Sequence, residues 1–362
     1  MTPAAAHPAA RRPGFTLIEL MLSTSLIALI ALLLVSMTNS TAATWRYTTS
    51  RIEQFRSADA AFESITRRLS QATLNTYWDY DSPTVPTKYL RQSDLRFITG
   101  PMTTGAKALL TTKDPRRPTH GVFFQAPLGL VDEPKNNFTG LDNLLNTCGY
   151  YIEFNKEVRP QFLDDLGSGA PPLRYRYRLM EFTQPSNALS LYSFTSGSTG
   201  GKSNNAGYTA KTWFSNALPV APAVLSPAVH VMAENIIALV LQPKLSKKDE
   251  TSTGKTLSTD YIYDSTATNT DPDINPKNQL PPIVQVTLVA IDENSASRAA
   301  NGATPPAFDA SLDTIFQKFQ KTSDFDTDLA TLQTTLLNSK PPISFRVFTS
   351  NVSIRGAKWS RK

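Results

Sequence analysis

Residues 15–82 contain neither glycine nor proline. With Pro83 and Pro86 following at once, this predicts one helix from Phe15 to about Thr73, roughly 90 Å long at about 1.5 Å per residue. Its first half is apolar: residues 15–37 read FTLIELMLSTSLIALIALLLVSM, with Glu19 as the one charge, and no charged residue occurs between Leu20 and Trp45. A helix needs about 20 apolar residues to cross a bilayer. The second half is amphipathic. Ile52, Phe55, Ala58, Phe62, Ile65, Leu69 and Ala72 recur at helical spacing, with Arg51, Glu53, Arg56, Asp59, Glu63, Arg67 and Arg68 mostly on other positions. Such a stripe requires cover, and the chain's own sheet is the expected cover.

The run is preceded by MTPAAAHPAARRPG, whose only charges are Arg11 and Arg12. Paired arginines ahead of an apolar span orient it with the leader in the cytoplasm and the remainder outside. A secretory signal peptide is one reading. The run is long for that, and helix-compatible sequence continues where a small-residue cleavage site should stand. A plain uncleaved anchor is another, but it leaves Glu19 unexplained, because a carboxylate inside a span costs about 3 kcal/mol on insertion scales.

The segment Arg12-Pro13-Gly14-Phe15-Thr16-Leu17-Ile18-Glu19 resembles the processing site of type IV prepilins and type II secretion pseudopilins. The resemblance implies cleavage after Gly14 by prepilin peptidase and N-methylation of Phe15. It also implies that Glu19 pairs with the amino group of Phe15 on a neighbouring pilin-like subunit during assembly. An ion pair there would neutralise two charges otherwise left in apolar surroundings. The implied organisation is a cytoplasmic leader (1–14), a transmembrane and filament-core helix (15–40), its amphipathic continuation (41–75) and a head (76–362). The place implied is the bacterial inner membrane, in lipid as a single-pass protein, with the head in the periplasm or on the cell surface after assembly.

The head reads as α+β, an antiparallel sheet packed on the long helix, with helical and loop insertions. Runs at 121–125 (GVFFQ), 149–155 (GYYIEFN), 236–242 (IIALVLQ), 283–292 (IVQVTLVAID) and 343–354 (ISFRVFTSNVSI) predict strands. Residues 173–179 (LRYRYRL) alternate, which places Leu173, Tyr175, Tyr177 and Leu179 on one face and three arginines on the other. The arginines suit a solvated outer face, or a patch for an anionic partner or another subunit. Helical spacing returns at 307–320 and 325–338, with Asp309 or Ser311 and Ser323 or Asp324 as caps. The polar stretches 196–210 and 246–278 read as exposed, mobile loops. Residues 51–71, the segments AENIIALVLQ and LPPIVQVTLVAID and the ending FTSNVSIRGAKW are similar to minor subunits of the PilW and pseudopilin J kind. The ensemble resembles Verru_Chthon cassette protein C, a pilin-like family with no assigned chemistry.

Few residues in the head offer chemistry. Cys148 is the one cysteine, so no intrachain disulfide forms, and His120 and His230 are the only histidines outside the leader. Ser196–Ser203 (SGSTGGKS) imitates a phosphate loop but has Ser196 where the first glycine belongs; Thr253-Gly254-Lys255-Thr256 has Asp249 there. Nucleotide binding is therefore not expected. Asp271, Asp273 and Asn275 alternate as in the opening of a calcium loop, but Pro276 and Pro282 occupy the positions of the required Gly and Glu. That excludes an EF-hand and leaves a looser calcium loop open. No HExxH, GxSxG or CxxC occurs. No catalytic residue, metal ligand or cofactor is assigned, and the chain is not expected to be an enzyme. The net charge of +6 is scattered, so nucleic acid is not indicated. The expected role is structural, a minor pilin or pseudopilin. The alternatives are a filament-borne adhesin or ligand-binding head and, third, a membrane-anchored enzyme.

Overall fold

The computed structural model describes residues 16–82, 84–102, 108–110, 116–131, 143–157, 159–189, 213–214, 218, 228–299, 302 and 319–360. Arg11, Arg12, Gly14, Phe15, the polar stretch 196–210 and the expected helix up to residue 318 lie outside them. The chain divides into two compact units, Met1–Glu53 and Gln54–Lys362, and α1 (Leu17–Leu69) contributes residues to both.

In the first unit the 26 residues Leu17–Ala42 form a helix long and apolar enough to cross a membrane, with none of it buried in protein. Five of its hydroxyls bond back to the helix itself. Ser23 and Thr24 donate to the Leu20 carbonyl, Ser25 to Leu22, Thr38 to Leu34 and Thr41 to Met37. Small polar residues that bond back along the helix in this way are compatible with hydrocarbon.

The second unit is α+β, and every strand pairing in it is antiparallel. A hairpin comes first, of β1 (Tyr77–Tyr80) and β2 (Tyr89–Gln92). The next four strands are β3 (Ile98–Pro101), β4 (His120–Pro127), β5 (Leu145–Lys156) and β6 (Tyr175–Gln184). With β7 (Val229–Glu234) and β9 (Tyr263–Asp264) they form a six-stranded sheet ordered β7-β6-β5-β4-β3-β9. The third sheet is β11-β10-β8, from β8 (Ile236–Lys244), β10 (Ile283–Ile291) and β11 (Phe345–Ser353). Later helices among the described residues include α2 (Gln161–Asp164), α3 (Lys247–Thr253), α4 (Glu293–Ala299) and α5 (Phe325–Asn338).

The amphipathic stripe of α1 packs as expected. Ala58, Ala61, Ile65 and Leu69, with Ala72 beyond the helix, are buried, and Phe55 and Phe62 pack against the same core. Phe62 meets Phe348 of β11, ring centres 5.8 Å apart. On the other side Arg68 pairs with Glu181 of β6. The end of the chain closes over the helix: the Arg355 amide donates to the Ser70 carbonyl at 2.9 Å.

A single residue joins the two larger sheets. β7 ends at Glu234, β8 begins at Ile236, and Asn235 between them takes a left-handed conformation (φ 62°), which asparagine tolerates better than most residues. Its amide donates to Tyr177 O, and its carbonyl accepts from Ile291 N. The outer edge of β8 is closed by side chains rather than by a strand: Leu239 N donates to Thr119 Oγ1 (3.2 Å) and Leu241 N to His120 Nδ1 (3.1 Å).

Two expectations about the head are corrected. The first concerns residues 246–278, expected as a mobile loop, which instead form ordered structure. Ser246 caps α3 by accepting from the Asp249 amide, Gly254 ends the helix with φ 64°, and Leu257, Tyr261 and Tyr263 are buried. Composition misled because the few apolar residues here are spaced to enter a core that the rest of the chain supplies. The second concerns the arginine strand. β6 does alternate, but Arg176 and Arg178 are only 4% and 2% exposed. Both faces of this interior strand are covered, so Arg176 and Arg178 are neither a solvated face nor an anion patch, whereas Arg174, just ahead of β6, is exposed.

Candidate functional site

Glu19 sits in the first turn of α1. The Thr16 amide and Thr16 Oγ1 donate to its Oε2 at 3.0 and 2.9 Å, and the Glu19 amide reaches back to Thr16 Oγ1 at 3.4 Å. This is a capping box, a Thr and a Glu three residues apart satisfying each other's backbone amides at a helix start. The signal Thr16-x-x-Glu19 is legible in the sequence, and the capping role stands beside the intersubunit pairing that the resemblance implies. The carboxylate also lies at the positive end of the helix dipole, where a negative charge is favoured. Oε1 has no partner among the described residues. The site thus places a carboxylate at the mouth of an apolar helix, and one of its oxygens can accept from an incoming cation or amine.

The arginines of β6 are internal fasteners. Arg178 Nε donates to Glu234 at 3.1 Å, and its Nη1 donates to Asn155 Oδ1 at 2.6 Å and to the Lys156 carbonyl. Arg176 Nη2 donates to Glu293 of α4 at 2.8 Å, and Asn235 Nδ2 reaches the other oxygen of Glu293 at 2.8 Å. Burial opposes the charge on Glu293, but these two partners outweigh it and hold its carboxyl below the usual range. Arg117 and Glu153 form a further buried pair at 2.7 Å. A guanidinium is kept buried only when carboxylate and carbonyl partners surround it, and here they belong to β5, β7 and α4. Sequence spacing could not reveal partners so far apart in the chain.

His120 is fully buried. Its Nδ1 accepts from Leu241 N, so its Nε2 carries the proton and donates to the Phe319 carbonyl at 3.0 Å. The ring packs on Tyr261 at 4.8 Å. Burial lowers its pKa to about 4, against the two backbone hydrogen bonds. It is a neutral tie between β4, β8 and the segment before α5. Cys148 is buried on β5 and is no nucleophile, for burial pushes its thiol up to about 12 despite nearby Arg68.

The alternating Asp271 and Asp273 already hold a cation, the ammonium of Lys255, at 2.9 Å from Asp271 Oδ1 and 2.7 Å from Asp273 Oδ2. The Gly-Lys-Thr that imitates a phosphate loop is therefore a helix C-cap followed by this clasp. Beside it a cavity of about 550 Å³ is lined by Thr256, Thr259, Asp260, Asp264, Arg96 and Phe214, among others. Arg96 holds Asp264 with two bonds of 3.0 and 2.7 Å. Asp260 accepts from Ser258 Oγ and the Ile262 amide. Asp260 and Asp264 are thus both engaged by groups of the protein itself. Among the described residues no group of three or more His, Cys, Asp or Glu side chains is placed to hold a metal.

Comparison with known protein families, curated proteins and solved structures returns no match.

Proposed function

We propose that this chain is a prepilin-peptidase substrate and a minor, structural subunit of a type IV pilus-like or type II secretion-like filament. The observation that carries the reading is the position of Glu19, a carboxylate in the first turn of an apolar helix, five residues past the Gly14–Phe15 junction and preceded by Arg11 and Arg12. In a plain membrane anchor that carboxylate would do no more than cap the helix, whereas helix packing in a filament also uses a charge that fixes the register of one subunit on the next. Removal of the leader would free the Phe15 amine beside the capping box, and the open Oε1 of Glu19 is the acceptor for a neighbour's amine. In this reading the protein sits in the bacterial inner membrane with its head in the periplasm, or on the surface once assembled. A head of this size crowds a filament if every subunit carries one, which favours low copy number.

The test is the mass of the amino-terminal peptide from the native host. A peptide that begins at methylated Phe15 supports processing, and an intact leader or a cut beyond Met37 refutes it. Incorporation of Glu19→Ala into isolated filaments then tests the assembly role, with loss expected. Thr16→Ala, which removes the capping hydroxyl and keeps the carboxylate, should be incorporated.

A further inference from the structure

The β1–β2 hairpin presents a row of aromatic rings that the core does not use. Cross-strand partners share a face. The register Trp78↔Arg91 and Tyr80↔Tyr89 therefore puts Trp78, Tyr80, Tyr89 and Arg91 together. Tyr80 and Tyr89 stack at 4.9 Å, and Arg91 lies 5.5 Å from the Trp78 ring. Trp78 is 63% exposed, Tyr89 62% and Tyr80 50%. The hairpin is rigidly mounted. Asp81 closes its loop by accepting from the Thr87 and Lys88 amides, and Arg91 is tied at the base to Gln279 Oε1 and the Lys358 carbonyl. Large rings held open to water on a stiff mount mark an interaction surface.

The surroundings select the occupant. The one charged side chain that the register places on the ring-bearing face is Arg91, and it is committed to Gln279 and Lys358; Asp79 stands on the opposite face with Leu90, Asp81 is engaged by Thr87 and Lys88, and Asp94 accepts from Tyr77. A phosphate or sulfate chain laid on the rings would find no uncommitted cation on that face, which disfavours nucleic acid. No aliphatic side chain shares the ring-bearing face to match an apolar protein patch. What fits is a ligand with flat C–H faces for the rings and uncharged hydroxyls for the phenols. We infer that this hairpin is a binding platform for a neutral polysaccharide with equatorial hydroxyls. The inference goes beyond the filament reading and does not depend on it.

The test uses the full chain in lipid nanodiscs, with insoluble cellulose and chitin for co-sedimentation, their soluble oligosaccharides for titration and an oligo-dT as the anionic probe. Binding to at least one neutral glycan is expected. Trp78→Ala and Tyr89→Ala should each weaken it about tenfold, Trp78→Phe much less, and salt should have little effect. Absence of binding to both glycans, or undiminished binding by the Trp78→Ala/Tyr80→Ala double variant, overturns the inference. So does binding of oligo-dT alone with strong salt dependence, or self-association that Trp78→Ala abolishes without any glycan binding. Unchanged circular dichroism of each variant shows that a loss is local.

Discussion

Acid should loosen this head through one residue. His120 donates from Nε2 to Phe319 O and accepts at Nδ1 from Leu241 N, and both bonds require the neutral ring. Burial takes its pKa from an ordinary 6.5 to about 4. The unfolded chain therefore binds a proton between those values that the folded chain refuses. The resulting stability is fully present above pH 6.5, declines as pH falls and is gone below about 4. At about 1.4 kcal/mol for each pH unit of difference, the whole contribution is about 3 kcal/mol. Many carboxylates also titrate in this range, so the assay is a difference. Urea unfolding of the full chain in detergent would be followed at pH 7.5, 6, 5 and 4.5 for the native sequence and for His120→Gln, which can bridge the same backbone groups without titrating. The native protein should lose most of that about 3 kcal/mol relative to the variant by pH 4.5. A gap between the two that stays constant across the series would refute the argument.

Arg178→Met should destabilise the head by about 3 kcal/mol, the lower end for a broken buried pair because Glu234 is partly hydrated; denaturant midpoints of the variant and native chains decide this. Cys148 should resist maleimide in the native chain and react on unfolding, as mass spectrometry after timed labelling would show. Lys255→Met should speed amide exchange across residues 246–278, since Asp271 and Asp273 lose their shared counter-charge. Gly149→Ala should yield insoluble protein, because its Cβ would stand 2.2 Å from Phe123 Cδ1 and 3.1 Å from the Val122 carbonyl. Recovery of soluble chain by Gly149→Ala/Phe123→Leu would fix the cause as that clash.

The strands legible in the sequence were those whose apolar runs are long and uninterrupted. β4, β5, β8, β10 and β11 lie where the runs predict, and α5 starts and ends on the expected residues. β1, β3 and β9 are short, contain Asp or Gly-Pro, and owe their extended state to a neighbour, so no local pattern announces them. The stripe on α1 was legible because helical period and burial coincide. The arginines of β6 were not, because alternation reveals two faces and not what covers the second. In the candidate site, the position of Glu19 in the first helical turn was readable from its spacing, and so was its cap, had Thr16 been weighed with it. The roles of Lys255 and His120 depend on partners more than ten residues away in the chain.

The route of the chain through the sheets sets an order on folding. β8 belongs to the three-stranded sheet, β9 returns to pair with β3, and β10 comes back beside β8. The six-stranded sheet thus receives its last strand after the other sheet has begun, and β11, which meets Phe62 of the helix, is last of all. A chain that emerges amino-terminus first can seat the end of its helix on β6 early, but Phe62 waits for Phe348 of β11. Long-range pairings of this kind form slowly. An export partner or chaperone that shields residues 55–69 during that interval would govern how much chain survives to fold, and truncation near the carboxyl terminus should be more damaging than its exposed position suggests.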